Sequence, residues 1–86
     1  MKIVGIFDNR EEQLGFKLSG IETNVAKNPD ELNELLSTIK QDKEVGILVI
    51  NQEIYNMAKN DFDELEKKRF PLLIKYKRED DKNDKY

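Results

Sequence analysis

The chain has 86 residues, 37% of them apolar and 38% charged, with a formal net charge of −3 and neither cysteine nor histidine. That length suits one domain. The acidity argues against nucleic acid as the main ligand, since such binding rests on Lys and Arg neutralising phosphates. The missing residue types remove disulfides, zinc sites of ordinary type, His-based nucleophilic triads and phosphohistidine or phosphocysteine relays.

Ile3-Val4-Gly5-Ile6-Phe7 is a short apolar run bounded by Asp8-Asn9, which predicts a strand buried on both faces. No apolar stretch approaches the roughly 20 residues that span a bilayer, and the N-terminus enters this strand directly. The expectation is a cytoplasmic protein with no membrane insertion of its own. Asp8 or Asn9 caps the next helix, with Glu11 or Glu12 placed to complete a capping box. Leu14 and Leu18, four residues apart, mark the inner face of that short helix, and Gly20 ends it. Glu22 to Ala26 reads as a weak, polar edge strand.

Asn28-Pro29-Asp30-Glu31 is the clearest helix start in the chain. Asn28 caps, Pro29 takes the first position, where no N–H is needed, and two acids meet the positive helix end. Leu32, Leu35, Leu36 and Ile39 then keep the spacing of an amphipathic helix laid on a sheet. Val45-Gly46-Ile47-Leu48-Val49-Ile50 is a second strand apolar on both faces, left through Asn51-Gln52-Glu53. Ile54, Met57, Ala58, Phe62 and Leu65 carry a helical period to about Lys68, with a break expected near Asn60-Asp61, where Asp61 and Glu64 form another capping pair. Lys67, Lys68 and Arg69, with Lys75, Lys77 and Arg78 beyond, read as a solvated face because acids flank them. Pro71 to Tyr76 is the last strand. Residues 77–86 carry four positive and four negative charges and almost nothing apolar, the composition of a disordered tail or a frayed helix beyond a single domain of residues 1–76.

The alternation β-α-β-α-β-α-β implies an α/β fold, a three-layer α-β-α domain with a parallel sheet and right-handed crossovers. The two most apolar strands belong at the centre, so the order is 2-1-3-4, a short flavodoxin- or receiver-like sheet. In such sheets ligands sit beyond the carboxyl ends of the central strands, here at Asp8, Asn9, Asn51, Gln52 and Glu53. Asp8 and Glu53 make a poor Mg²⁺ pair without a backbone cage or a substrate phosphate. The favoured reading is that Asp8 caps a helix and Glu53 faces water. Phe7-Asp8-Asn9-Arg10-Glu11-Glu12 bears no resemblance to a glycine-rich phosphate loop, and its acids would repel a pyrophosphate. No cofactor, metal or small-molecule substrate is expected. Lys17, Tyr55 and Tyr76 are lone acid–base candidates with no visible partner.

Three segments in order carry a family resemblance. Gly15-Phe16-Lys17-Leu18-Ser19-Gly20-Ile21 follows Lys2-Ile3-Val4-Gly5-Ile6-Phe7-Asp8; Val45 to Ile54 supplies a third strand and its turn; Phe70-Pro71-Leu72-Leu73-Ile74 supplies a Pro-led fourth strand. Together they resemble the F subunit of V-type and archaeal-type rotary ATPases and ATP synthases, over residues 1 to about 76. The resemblance implies the four-stranded sheet already described and a non-catalytic place in the central rotor stalk. Its implied partners are the coiled-coil shaft subunit, known as the D subunit in that family of assemblies, and the catalytic subunits, with ATP hydrolysis or synthesis modulated and nucleotide bound elsewhere. That places the protein at the cytoplasmic side, peripheral to the membrane. Family members usually continue into a C-terminal helix, whereas this sequence carries a polar tail to Tyr86.

Phe16 lies well round its helix from Leu14 and Leu18, so it either faces a partner beside the small Gly15, Ser19 and Gly20 or closes the end of the core. The residues expected to meet a partner are Phe16, Lys17, Ser19, Asn51, Gln52 and Tyr55. A free-standing receiver-like signalling or adaptor domain is the alternative. It is weakened by a lone Asp8 after the first strand and by Asn51 where a receiver carries its phosphorylated aspartate.

Overall fold

The two runs that are apolar on both faces lie side by side, as burial on both faces requires. The structure, a computed structural model, describes residues 1–77. In it β1 (Lys2–Phe7) pairs parallel with β3 (Val45–Asn51), matching Ile3 to Ile47 and Ile6 to Ile50. The more polar β2 (Glu22–Val25) adds outside β1, and β4 (Leu72–Tyr76) adds outside β3. All pairs are parallel and the order is β2-β1-β3-β4, as the sequence predicts. The expected disordered or frayed tail, residues 77–86, lies outside the described residues except for Lys77, which is exposed.

Between the strands run α1 (Arg10–Lys17), α2 (Pro29–Gln41), α3 (Gln52–Met57) and α4 (Lys59–Glu66). The start of α2 follows the sequence signals. The Glu31 N–H donates to Asn28 Oδ1 at 2.9 Å, and Glu31 Oε1 accepts from the Lys27 N–H at 2.7 Å, satisfying two donors at the helix entrance. Leu32, Leu36 and Ile39 are its buried face. Each contributes about 1.5–3 kcal/mol of hydrophobic stabilisation relative to exposure.

Alternation along the strands divides the interior in two. Val4, Ile6, Leu48 and Ile50 point to one face and pack with Leu32, Leu36 and Ile39 of α2, Ile54 of α3, and Phe62 and Leu65 of α4. Leu73 of β4 joins them. Ile3, Gly5 and Phe7, with Ile47 and Val49 and with Leu72 and Ile74, point to the other face, where α1 is the one helix among the described residues.

Two expectations about helices need correction. The helix after β3 breaks at Ala58 (φ −149°, ψ 55°) and not at Asn60-Asp61. Asp61 therefore lies in the first turn of α4, 3.7 Å from Lys40 of α2, and does not cap it. The inner face of α1 is also not Leu14 and Leu18. None of its residues is fully buried, and Leu14 and Leu18 are 49% and 90% exposed. Phe16 faces the sheet instead, stacking on Phe7 with centroids 4.8 Å apart and planes 17° apart. A Cβ at Gly5 would stand 2.7 Å from the Phe7 ring, so glycine is what allows that ring to lie back along β1 beneath Phe16. Gly20 ends the α1 region as expected, at φ 85°, a conformation other residues rarely adopt.

Candidate interaction surface

At the carboxyl ends of the central strands, where α/β sheets usually take ligands, the chain has filled the position with its own polar side chains. Asn51, the last residue of β3, is 1% exposed. Its Nδ2 donates to Asp8 Oδ1 at 2.9 Å and to Glu12 Oε1 at 2.7 Å, while its Oδ1 accepts the Ile54 N–H at 2.9 Å and so caps α3. The Tyr76 hydroxyl donates to Glu12 Oε1 at 3.0 Å, and Asn9 Nδ2 donates to Asp8 Oδ1 at 2.9 Å. The Asn51 amide thus ties the ends of β1 and β3 to the starts of α1 and α3, and Glu12 extends the network to Tyr76 of β4. Buried polar groups are stable when satisfied in this way.

The knot changes the roles expected from the sequence. Asn9, not Asp8, caps α1, accepting the Glu12 N–H at 2.8 Å. Glu12 does not close a capping box but reaches across to Asn51 and Tyr76. Asp8 turns toward Asn51 and Asn9, and Glu53 is exposed in the first turn of α3. Among the described residues no group of three or more His, Cys, Asp or Glu side chains is placed to hold a metal ion.

Of the residues expected to meet a partner, Asn51 is turned inward and its side chain is engaged within the chain, so it positions the turn without facing out. Phe16 is half-buried between Phe7 and Tyr76, the latter 5.8 Å away between ring centroids, and so closes the end of the core. Lys17 and Ser19 are exposed at the end of α1. Gln52 is half-buried and donates from Nε2 to Asn56 Oδ1 at 3.0 Å. Tyr55 is half-buried, donates to Asp63 Oδ1 at 2.8 Å and carries Lys75 Nζ 3.8 Å above its ring. The hydrogen bond to Asp63 holds its phenol above the ordinary range, with desolvation and the charges of Asp63 and Glu66 adding to the effect. Tyr55 and Tyr76 are therefore tied to other side chains, and neither stands as a lone acid or base.

Sequence reasoning missed a different surface. On the α1 face, Leu72 and Ile74 of β4 are 55% and 43% exposed, and Ile3 of β1 is exposed beside the half-buried Ile47. These are neighbours across the strands, since Ile47 pairs with both Ile3 and Leu72. The alternation of β4 was the available signal: Leu72, Ile74 and Tyr76 share one face, and among the described residues only α1 lies on it.

A family model for the ATP synthase (F/14-kDa) subunit matches residues 3–85. The chain belongs to that family. The resemblance carried by the Phe16, Val45–Ile54 and Pro71 segments thus holds for the chain as a whole, and the family is one of accessory, non-catalytic subunits of rotary ATPases. A curated relative, the F subunit of the A-type ATP synthase of Methanocorpusculum labreanum, is 42% identical over 48 residues. Those residues are 55% of this chain and 48% of the relative, so the match spans about half the length of that protein. No helix among the described residues is long and apolar enough to cross a membrane.

Proposed function

We propose that this chain is a non-catalytic central-stalk subunit of a V/A-type ATPase or ATP synthase that moves protons or sodium ions. It binds the coiled-coil shaft subunit and modulates ATP hydrolysis or synthesis, peripheral to the membrane on its cytoplasmic side. The observation that carries this reading is the family match over residues 3–85, which includes nearly the whole four-stranded sheet. The filled sheet tip agrees with it: where a nucleotide would sit in a related sheet, Asn51, Asp8, Glu12 and Tyr76 bond to one another. Lys17 and Ser19 on α1, with Gln52 and Tyr55 beside the third strand, are the polar contacts proposed for the partner, and Phe16 and Asn51 hold those elements in place.

The test is co-expression with the shaft subunit of the same ATPase. Stoichiometric co-purification and co-elution in gel filtration at micromolar concentration are expected. Separate elution of the two proteins removes the reading.

A further inference from the structure

At the amino ends of β3 and β4, opposite the Asn51 tip, the turn out of α2 meets the link Lys67-Lys68-Arg69-Phe70-Pro71 that joins α4 to β4. Phe70 is 66% exposed and lines two clefts, of about 370 and 280 Å³. Lys43 and Val45 line both with it; Gly46 adds to the first, Ile39 and Pro71 to the second. The acids around this end are already engaged. Asp42 lies 2.7 Å from Lys2 Nζ, Asp61 3.7 Å from Lys40, Glu64 3.6 Å from Lys67, and Glu44 3.9 Å from the amino group of Met1. The charge of Glu66 is felt at Tyr55, on the α3 side. Lys43, Lys68 and Arg69 are exposed and make no ion pair among the described residues. A chain of net charge −3 thus keeps unpaired cations around an exposed aromatic ring.

Such a surface suits an occupant that brings carboxylates to the cations and an apolar side chain to the ring. A membrane or a nucleic acid spreads its anions over a wide area and would also meet the acids that make this chain negative. A short acidic segment meets the cations alone. Clefts also admit a side chain, which a broad anionic surface does not supply. We propose that this end of the sheet takes an acidic segment of a partner protein, seating an apolar side chain in the clefts beside Phe70 and its carboxylates on Lys43, Lys68 and Arg69. The site stands apart from the stalk reading: it lies at the opposite end of the sheet from Gln52 and Tyr55 and needs no shaft subunit.

The experiment selects a random-peptide display library on the immobilised full chain, then titrates the most enriched peptide, made synthetically, against the chain and its variants. Enriched sequences are expected to place Asp or Glu around an aromatic or branched apolar residue. Phe70→Ser and Lys43→Glu/Arg69→Glu are each expected to weaken binding roughly tenfold or more. Lys27→Glu/Lys59→Glu makes the same change of charge beyond β2 and at the start of α4, and should leave binding unchanged. Circular dichroism and melting temperature confirm that each variant is folded. A library that yields no acidic enrichment overturns the proposal, and so does a peptide whose binding survives either of the first two variants. Equal weakening by Lys27→Glu/Lys59→Glu overturns it in favour of unspecific attraction. Binding to phosphatidylglycerol vesicles that Phe70→Ser and Lys43→Glu/Arg69→Glu abolish, and that the peptide does not compete, overturns it in favour of a membrane. A dimer that Phe70→Ser dissolves overturns it in favour of a second copy. Tenfold tighter peptide binding by Glu79→Gln/Asp80→Asn/Asp81→Asn overturns it in favour of the chain's own acids.

Discussion

On one face of the sheet, α2, α3 and α4 bury Leu32, Leu36, Ile39, Ile54, Phe62 and Leu65 against Val4, Ile6, Leu48 and Ile50. On the other, α1 covers the buried Phe7 but has no buried residue of its own, and Leu72 and Ile74 are exposed. The strand β4 contributes to both: Leu73 to the covered side, Leu72 and Ile74 to the open one. Residues of the same type on one strand therefore do different work. Those on the covered side hold the fold, and those on the open side remain exposed among the described residues. Hydrophobic composition does not separate the two roles; the number of helices on each face does.

The sharpest way to break this contrast is to truncate one leucine on each face. Leu32→Ala removes a fully buried side chain and is expected to cost about 2–5 kcal/mol. Leu72→Ala, on the open face, is expected to change stability by less than about 0.5 kcal/mol. Urea melts of the isolated chain compare them directly. Similar losses for the two would mean that the open face is covered in solution.

Next in size is Asn51→Ala, at the tip where both faces meet. It takes the acceptor from the Ile54 N–H and the shared donor from Asp8 and Glu12, so the expected cost is about 1–3 kcal/mol. A loss under about half a kcal/mol, on the scale of ordinary surface changes, would show that the knot does not hold the strand ends. Gly5→Ala follows, on the α1 side. Its Cβ would press on the Phe7 ring, and overpacking of this kind costs about 1–3 kcal/mol. Because Phe7 stacks on Phe16, the change also displaces α1, which the ring-current shifts of Phe16 report. Unmoved Phe16 resonances would show that α1 is not seated through this stack.

Most of the frame was legible in the sequence. The strands, their order and the Asn28 cap follow from local signals, because apolar runs and caps act within a few residues. What escaped was what connects distant segments or lacks a local mark. Asn51 meets Asp8 and Glu12 across β1 and β3, and no spacing rule pairs residues so far apart in the chain. The break at Ala58 has neither Gly nor Pro to announce it. For α1, the i,i+4 leucines pointed the wrong way because the space above β1 is occupied by the Phe7 ring, on which Phe16 stacks. The leucines that were expected inside are instead exposed.

The smallest expected effect tests how the covered face is finished at its margin. There Lys75 of β4 lies over the Tyr55 ring, and the Tyr55 hydroxyl bonds Asp63 of α4, a lid with no counterpart over Leu72 and Ile74. Because the bond to Asp63 raises the Tyr55 phenol in the folded chain, the fold favours the neutral form. That contribution is fully present below the unfolded phenol's value of about 10 and is lost as pH rises through the higher folded value. Tyr55→Phe removes the titrating group while keeping the ring under Lys75. Melting temperatures of the two chains should differ slightly, with the native protein higher, from about pH 7 to about 9. They should converge as pH passes through the raised phenol value. A gap that stays constant into that alkaline range would mean that the hydroxyl does not act through its bond to Asp63. The margin of the covered face would then rest on the ring and Lys75 alone.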